Sequence, residues 1–146
     1  MNELLTQKTT KEVAELWFQS LNKGDTQTAY GLIADDVEWE NIPSTKGVSD
    51  VAPWLGKYKG KDNVIKSFDV WASKSRPNAF ELYKLMAVDD EAIGFVHENA
   101  TCIANENSYD LYVATYLKIR NEKIVSWRVY WDPSPLIQAY KNLEKR

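Results

Sequence analysis

The sequence is short of several residue types on which chemistry is commonly built. It contains one cysteine, Cys102, and one histidine, His97. A single cysteine excludes an internal disulfide framework and a cysteine-based zinc site, and it fits a reducing compartment. A single histidine leaves no histidine-rich metal site, and no Ser-His-Asp triad unless His97 serves it. No apolar run reaches membrane-spanning length, and the opening "MNELLTQKTTKE" lacks the apolar stretch of a signal peptide. No Gly-rich phosphate loop is present, since "GKYKGKD" lacks the spacing and enters its helix through Asp rather than Ser or Thr. Net charge is −3 with both signs interspersed, so no basic patch points to nucleic acid or to a membrane surface. No internal repeat is visible. These absences lead to the expectation of one soluble cytoplasmic domain over residues 1–146, with no cofactor and no metal.

What the chain does have is aromatic residues: 6 Trp, 8 Tyr and 4 Phe in 146 residues. Tryptophan is too large to bury cheaply, so this many in one small domain suggests a lined cavity or an interface.

Helical spacing marks the first third. Thr9 with Glu12 three residues on forms a capping box, and Val13, Leu16, Trp17 and Leu21 follow on one helical face. Asp25 caps a second short helix predicted to run through Ile33, burying Ala29, Tyr30 and Ile33. "VEWENIP" alternates Val37, Trp39 and Asn41 against Glu38 and Glu40, as a half-buried strand does. A loop of about twenty residues follows, punctuated by Pro43, Gly47, Pro53, Gly56 and Gly60; its length suggests function. Val51, Trp54, Leu55 and Tyr58 give that loop something to bury, and it could fold over a pocket mouth as a lid. Asp62 is predicted to cap a third helix with Val64, Ile65, Phe68 and Trp71 on one side, ending before Pro77. Period-2 strands follow over Ala79–Val88, Ala92–Ala104, Tyr109–Arg120 and Lys123–Trp131, then a last helix over Pro135–Leu143. The pairs Asp35-Asp36 and Asp89-Asp90 read as cap and turn residues, because no third ligand type is spaced with them. Helices and one strand followed by a run of antiparallel strands is an α+β layout, with helices packed on one face of a curved sheet.

The turn "RNEK" admits two registers. A two-residue loop sets Ser126 beside Leu117 and Arg128 beside Thr115, mixing apolar and charged side chains. A three-residue loop, Arg120 to Glu122, aligns Leu117 with Val125, Thr115 with Trp127, Val113 with Val129 and Leu111 with Trp131. Hydrophobic consistency selects the second, although Glu122 stands where a glycine would be preferred. The inner face then carries Val113, Thr115, Val125, Trp127, Val129 and Trp131. The outer face carries Tyr112, Tyr116, Lys118, Ser126, Arg128 and Tyr130, a composition common in subunit interfaces and equally compatible with a solvated face.

Four segments, "LNKGD", "ADDVEW", "PWLGKYKGKD" and "EKIVSWRVYWD", occur in this order along the chain. Together they resemble the nuclear transport factor 2-like superfamily, in its SnoaL-like branch beside the ketosteroid isomerases and the limonene-epoxide hydrolases. The resemblance implies a cone-shaped α+β fold: a curved, mostly antiparallel sheet wrapped by three N-terminal helices around an apolar pocket. It also implies a homodimer through the outer sheet face, at Tyr112, Tyr116, Arg128 and Tyr130. It does not imply one reaction, because the fold hosts isomerases, cyclases, hydrolases and binders.

Matched onto this sequence, the isomerase base falls on Asn41, its tyrosine on Trp17 and its aspartic acid on Thr115. Asn41 cannot take a proton, and Trp17 donates only through its indole N–H. The epoxide hydrolases keep an acid in the middle of the "WRxYxD" ending, where this chain has Val129; the partner positions fall near Val96 and Glu98. The SnoaL-type cyclases also rely on an acid in this region. None of these residue sets is preserved.

Glu98 remains as the candidate acid–base group. The family match turns Val96, Glu98, Ala100 and Cys102 inward, which would desolvate the carboxyl. The opposite parity would turn Phe95, His97, Asn99 and Thr101 inward and make His97 the candidate. The expected lining is Trp17, Trp39, Asn41, Trp54, Tyr58, Thr115, Trp127, Val129 and Trp131, with Tyr30 as a further donor; a solid aromatic core is the plain alternative. The expected function is binding of a small apolar molecule. The alternative is proton-transfer chemistry, isomerase-, cyclase- or lyase-like, on a polycyclic or terpenoid-like substrate with Glu98 as acid–base.

Overall fold

The Thr9 side chain accepts the Glu12 backbone N–H at 3.1 Å, and the Glu12 carboxylate returns a bond to Thr9 N at 3.0 Å. This capping box starts α1 (Thr10–Lys23), which ends at Gly24 in the left-handed region at φ 70°. The computed structural model describes residues 7–41 and 50–142. Ile42, Pro43, Gly47 and Leu143, which the sequence places in the first strand, the loop and the last helix, lie outside the described residues.

Asp25 caps α2 (Thr26–Gly31) by accepting from Thr28 N at 3.1 Å. The helix stops at Gly31 rather than at Ile33, which instead opens β1 (Ile33–Glu40). Asp35 and Asp36 therefore lie within a strand and cap nothing, on a stretch where the pairing of β1 with its neighbour shifts register. A short strand that the sequence reading lacks, β2 (Lys57–Lys59), pairs antiparallel with β1. Gly60, not Asp62, is the N-cap of α3 (Lys61–Lys74); its φ of 91° suits glycine, and Asp62 sits in the first turn, where the helix dipole favours a carboxylate.

The remaining elements are β3 (Ser75–Val88), β4 (Glu91–Cys102), β5 (Ser108–Arg120), β6 (Lys123–Trp131) and α4 (Ser134–Lys141). Among the described residues six strands form one mixed sheet in the order β2-β1-β6-β5-β4-β3, with only the β1–β6 pair parallel. The fold is α+β, with α1 against β3 and β4, α3 against β1 and α4 against β5. Along β4 Ala92, Gly94, Val96, Ala100 and Cys102 are buried, with Thr101 the one buried residue of the other parity, so the sheet's inner face takes the parity that includes Glu98. The core beneath α1 joins Val13, Trp17 and Phe18 to Ile33, Trp39, Val96 and Leu117. A second cluster, at the α4 end, gathers Trp54, Leu55, Tyr109, Leu111 and Leu136.

The β5–β6 hairpin corrects the predicted register. The loop has two residues, Asn121 and Glu122, both at positive φ (50° and 62°), and Arg120 pairs with Lys123. The register then shifts between Lys118 and Ile119, leaving Val125 as an extra residue on β6. Beyond this bulge Leu117 faces Trp127, Thr115 faces Val129 and Val113 faces Trp131. Each partner differs from the expected one by two residues, and a shift of two keeps every side chain on its face. Trp127, Val129 and Trp131 are therefore inward as predicted, through a different pairing. Val125 is the exception: it lies on the outer side with Lys118, Ser126 and Arg128, and Ile124 takes the fully buried place.

Candidate functional site

Between the helices and the inner sheet face lies a partly enclosed cavity of ≈ 360 Å³. Its wall is predominantly apolar, and all six tryptophans of the chain contribute to it. Helix α1 places Trp17 there, β1 places Trp39, and Asn41 follows at the end of that strand. Thr115 comes from β5, and Trp127, Val129 and Trp131 from β6. Eight of the nine residues expected to line a ligand site are thus brought together. Tyr58 is not: it sits in β2 opposite Trp39, and its hydroxyl donates to the Trp54 carbonyl at 2.9 Å.

The same carbonyl receives a bond from Asn41 Nδ2 at 3.4 Å, and Asn41 N donates to Gly56 O at 3.1 Å. Trp54 itself is buried, with its ring tilted on Tyr140 at 5.4 Å. The described part of the long loop forms a wall of the cavity and is tied to the sheet edge through Asn41 and Tyr58.

Trp71 and Phe68 of α3 and Tyr109 of β5 are among the lining residues that the sequence does not single out as site members. The first two stand on the apolar side of their helix, and helical spacing does not show whether that side meets core or cavity. Tyr109 could have been found, because it shares the parity of Leu111, Val113 and Thr115 along β5. Its hydroxyl receives a bond from Trp71 Nε1 at 3.2 Å and shares one with Ser75 Oγ at 2.7 Å; Ser75 in turn bonds the Tyr140 hydroxyl of α4.

Glu98 is the single carboxyl among the described residues of the lining, placed by β4 between Val96 and Ala100. Burial pushes its carboxyl up to about 7 from the ordinary 4.5, opposed only by the neighbouring His97. Burial also raises Tyr109, most of all, with the Ser75 and Trp71 hydrogen bonds working the other way and Glu98 adding a smaller upward push. His97 points to the outer face, where its Nε2 meets Asp110 Oδ1 at 2.8 Å and its ring stacks on Tyr112 at 4.3 Å. That answers the parity question in favour of Glu98.

Two indole N–H groups of the wall, on Trp17 and Trp127, are buried without an acceptor. Trp131 Nε1, by contrast, donates to the Asn41 carbonyl at 2.9 Å. Asn41, Thr115 and Val129, the positions matched to acids or bases in related enzymes, line the cavity without an ionisable group. No group of three His, Cys, Asp or Glu side chains among the described residues is arranged to hold a metal ion. A carboxyl held near neutrality in an apolar cavity can both give and take a proton there.

Residues 14–127 match the family described as SnoaL-like domain. Among solved structures, an NTF2-like protein from Burkholderia thailandensis superposes with a TM-score of 0.79 at 21% identity, over 90% of this chain and 97% of that one. A protein from Rhodopseudomonas palustris, provisionally named an isomerase, gives 0.75 at 17% identity over 94% and 99%. A provisionally named SnoaL-like polyketide cyclase from Mesorhizobium loti gives 0.70 at 17% identity over 84% and 99%. At these identities the likeness is one of fold. No curated protein matches the chain. No helix among the described residues is long and apolar enough to cross a membrane.

Proposed function

This chain belongs to the SnoaL-like family, and on that premise we propose that it is a small-molecule-binding domain. Its ligand occupies the tryptophan-walled cavity, with Glu98 as the one group able to exchange a proton with it. The observation that carries this reading is the convergence of six tryptophans from four strands and helices and the connecting loop on one partly open space. Indoles that only filled a core would close that space. Native mass spectrometry of the purified protein is expected to show a co-purified molecule, or tryptophan emission to shift saturably on adding apolar compounds. Absence of both across compounds sized to the cavity would overturn it.

A second reading, turnover by proton transfer, is favoured by Glu98 itself. A carboxyl near neutrality suits a general acid or base of isomerase or cyclase chemistry, the activities for which two of the structural neighbours are provisionally named. Catalysis would then rest on Glu98 with orientation from Asn41 and Thr115, because no second acid faces it.

The outer sheet face supports a homodimer as part of the same proposal. Tyr112 and Tyr130 are 63% and 57% exposed there, and the cross-strand pair Tyr116 and Arg128 follows next along the hairpin. Tyrosine and arginine on an open sheet are well suited to a self-complementary contact.

A further inference from the structure

Among the described residues, the cavity lining contains one group that can bear a full charge near neutral pH, and no cationic side chain to balance it. No lysine, arginine or histidine is among the described residues that line it. Glu98 forms no hydrogen bond and no ion pair with any described residue, so its raised proton affinity comes from burial alone. The other titratable groups of the wall are Tyr30 and Tyr109, both pushed up by burial and so neutral. His97, the nearest base, is on the opposite face of the sheet and engaged by Asp110.

A carboxylate withdrawn from water costs several kcal/mol unless a positive charge compensates it. Indole faces supply the complementary half of such a site, because the ring quadrupole attracts a cation at its face, most strongly for tryptophan. Trp39 and Trp17 are closed into the wall, at 2% and 0% exposure. Trp71, Trp127 and Trp131 are only partly buried and line the cavity. An anionic ligand would meet neutral donors such as the Trp17 and Trp127 indole N–H groups but also the like charge of Glu98, and a neutral one would leave the carboxyl uncompensated whenever it ionised.

From this arrangement we infer that the cavity is a site for an organic cation: a quaternary ammonium or protonated amine on an apolar body, its head paired with Glu98 and its flanks against tryptophan. The inference rests on the cavity being a ligand site and adds the charge of the ligand. It assigns Glu98 the role of a counter-ion, whether or not the bound molecule is later transformed.

The test compares two probes of nearly equal shape, benzyltrimethylammonium and its neutral carbon isostere neopentylbenzene, by tryptophan emission and calorimetry at about pH 8, where Glu98 is mainly ionised. The ammonium is expected to bind at least about tenfold tighter than the isostere. Glu98→Gln is expected to weaken ammonium binding about tenfold and leave the isostere within about threefold. Equal or tighter binding of the isostere to the unaltered protein overturns the inference while the cavity stands as a ligand site. Binding of neither probe overturns both. An ammonium preference that survives in folded Glu98→Gln protein, checked by near-UV circular dichroism, overturns the pairing with Glu98. The comparison of the two probes on the unaltered chain decides the matter even if that variant does not fold.

Discussion

Trp39 and Trp127 stack face to face, with ring centroids 4.0 Å apart and planes within 5° of parallel. They stand side by side because β1 and β6 run parallel with these two residues in register. Trp17 of α1 meets Trp39 edge-on at 5.7 Å, so the helix layer is keyed to the sheet through one ring. The stack is both a core contact and a cavity wall, which ties stability to binding.

Truncating the two members of the stack should separate those roles. Trp39→Ala removes a ring with 2% exposure and is expected to cost about 3–5 kcal/mol, read as a fall in the urea midpoint. Trp127→Ala removes a partly exposed ring and should cost less, about 1–3 kcal/mol, while lowering ligand affinity more. Equal stability losses would show that Trp127 is ordinary core.

Gly94 of β4 leaves room for the Phe18 ring of α1. A Cβ at that position would lie 2.3 Å from Phe18 Cζ, well inside contact distance. Gly94→Ala is therefore expected to destabilise by about 1–3 kcal/mol through overpacking. The smaller ring-free side chain of Phe18→Leu should recover part of that loss in the double variant. Additive losses in the double-mutant cycle would refute the contact.

Stability should fall as pH rises through the range set by Glu98. In the folded chain this carboxyl holds its proton up to about 7, while in the unfolded chain it releases it near 4.5. Below 4.5 both states are protonated and the full stability is present. Between 4.5 and about 7 only the unfolded state ionises, so stability is lost across that window and stays low above it. The loss amounts to about 3 kcal/mol at most, and Glu98→Gln should flatten the slope and gain stability at alkaline pH. Parallel pH profiles for the two proteins would show that Glu98 is solvated.

The proposed dimer predicts a specific failure. Tyr112→Glu places a carboxylate on the outer face beside Asp110, and sedimentation should show a shift from dimer to monomer without loss of secondary structure. A monomer in the unaltered protein at micromolar concentration would remove the dimer from the proposal.

The features readable from sequence were those with a short-range signature. The Thr9–Glu12 capping box, Asp25 as a cap, and alternation along Val37 to Glu40 each follow from residues a few positions apart, and each is present. The inward set Trp127, Val129 and Trp131 was legible for the same reason, since side-chain parity depends only on counting along one strand. Glu98 required more: Phe95 and Ile93 made the opposite parity equally reasonable by composition, and only the family resemblance favoured the inward glutamate.

Tertiary structure decided what depends on partners distant in sequence. The bulge at Val125 could not be read from "RNEK", because it reconciles a two-residue turn with an apolar face farther along the hairpin. The β2 strand exists because β1 offers it an edge, and Tyr58 is drawn to that edge instead of the cavity. Trp71 and Tyr109 join the wall through a hydrogen bond between residues 38 apart. Composition and periodicity thus determined an aromatic α+β domain with a chosen inner face. Packing decided that this face encloses a space, because whether six large rings fill a volume or surround it depends on how helices and sheet are set against one another.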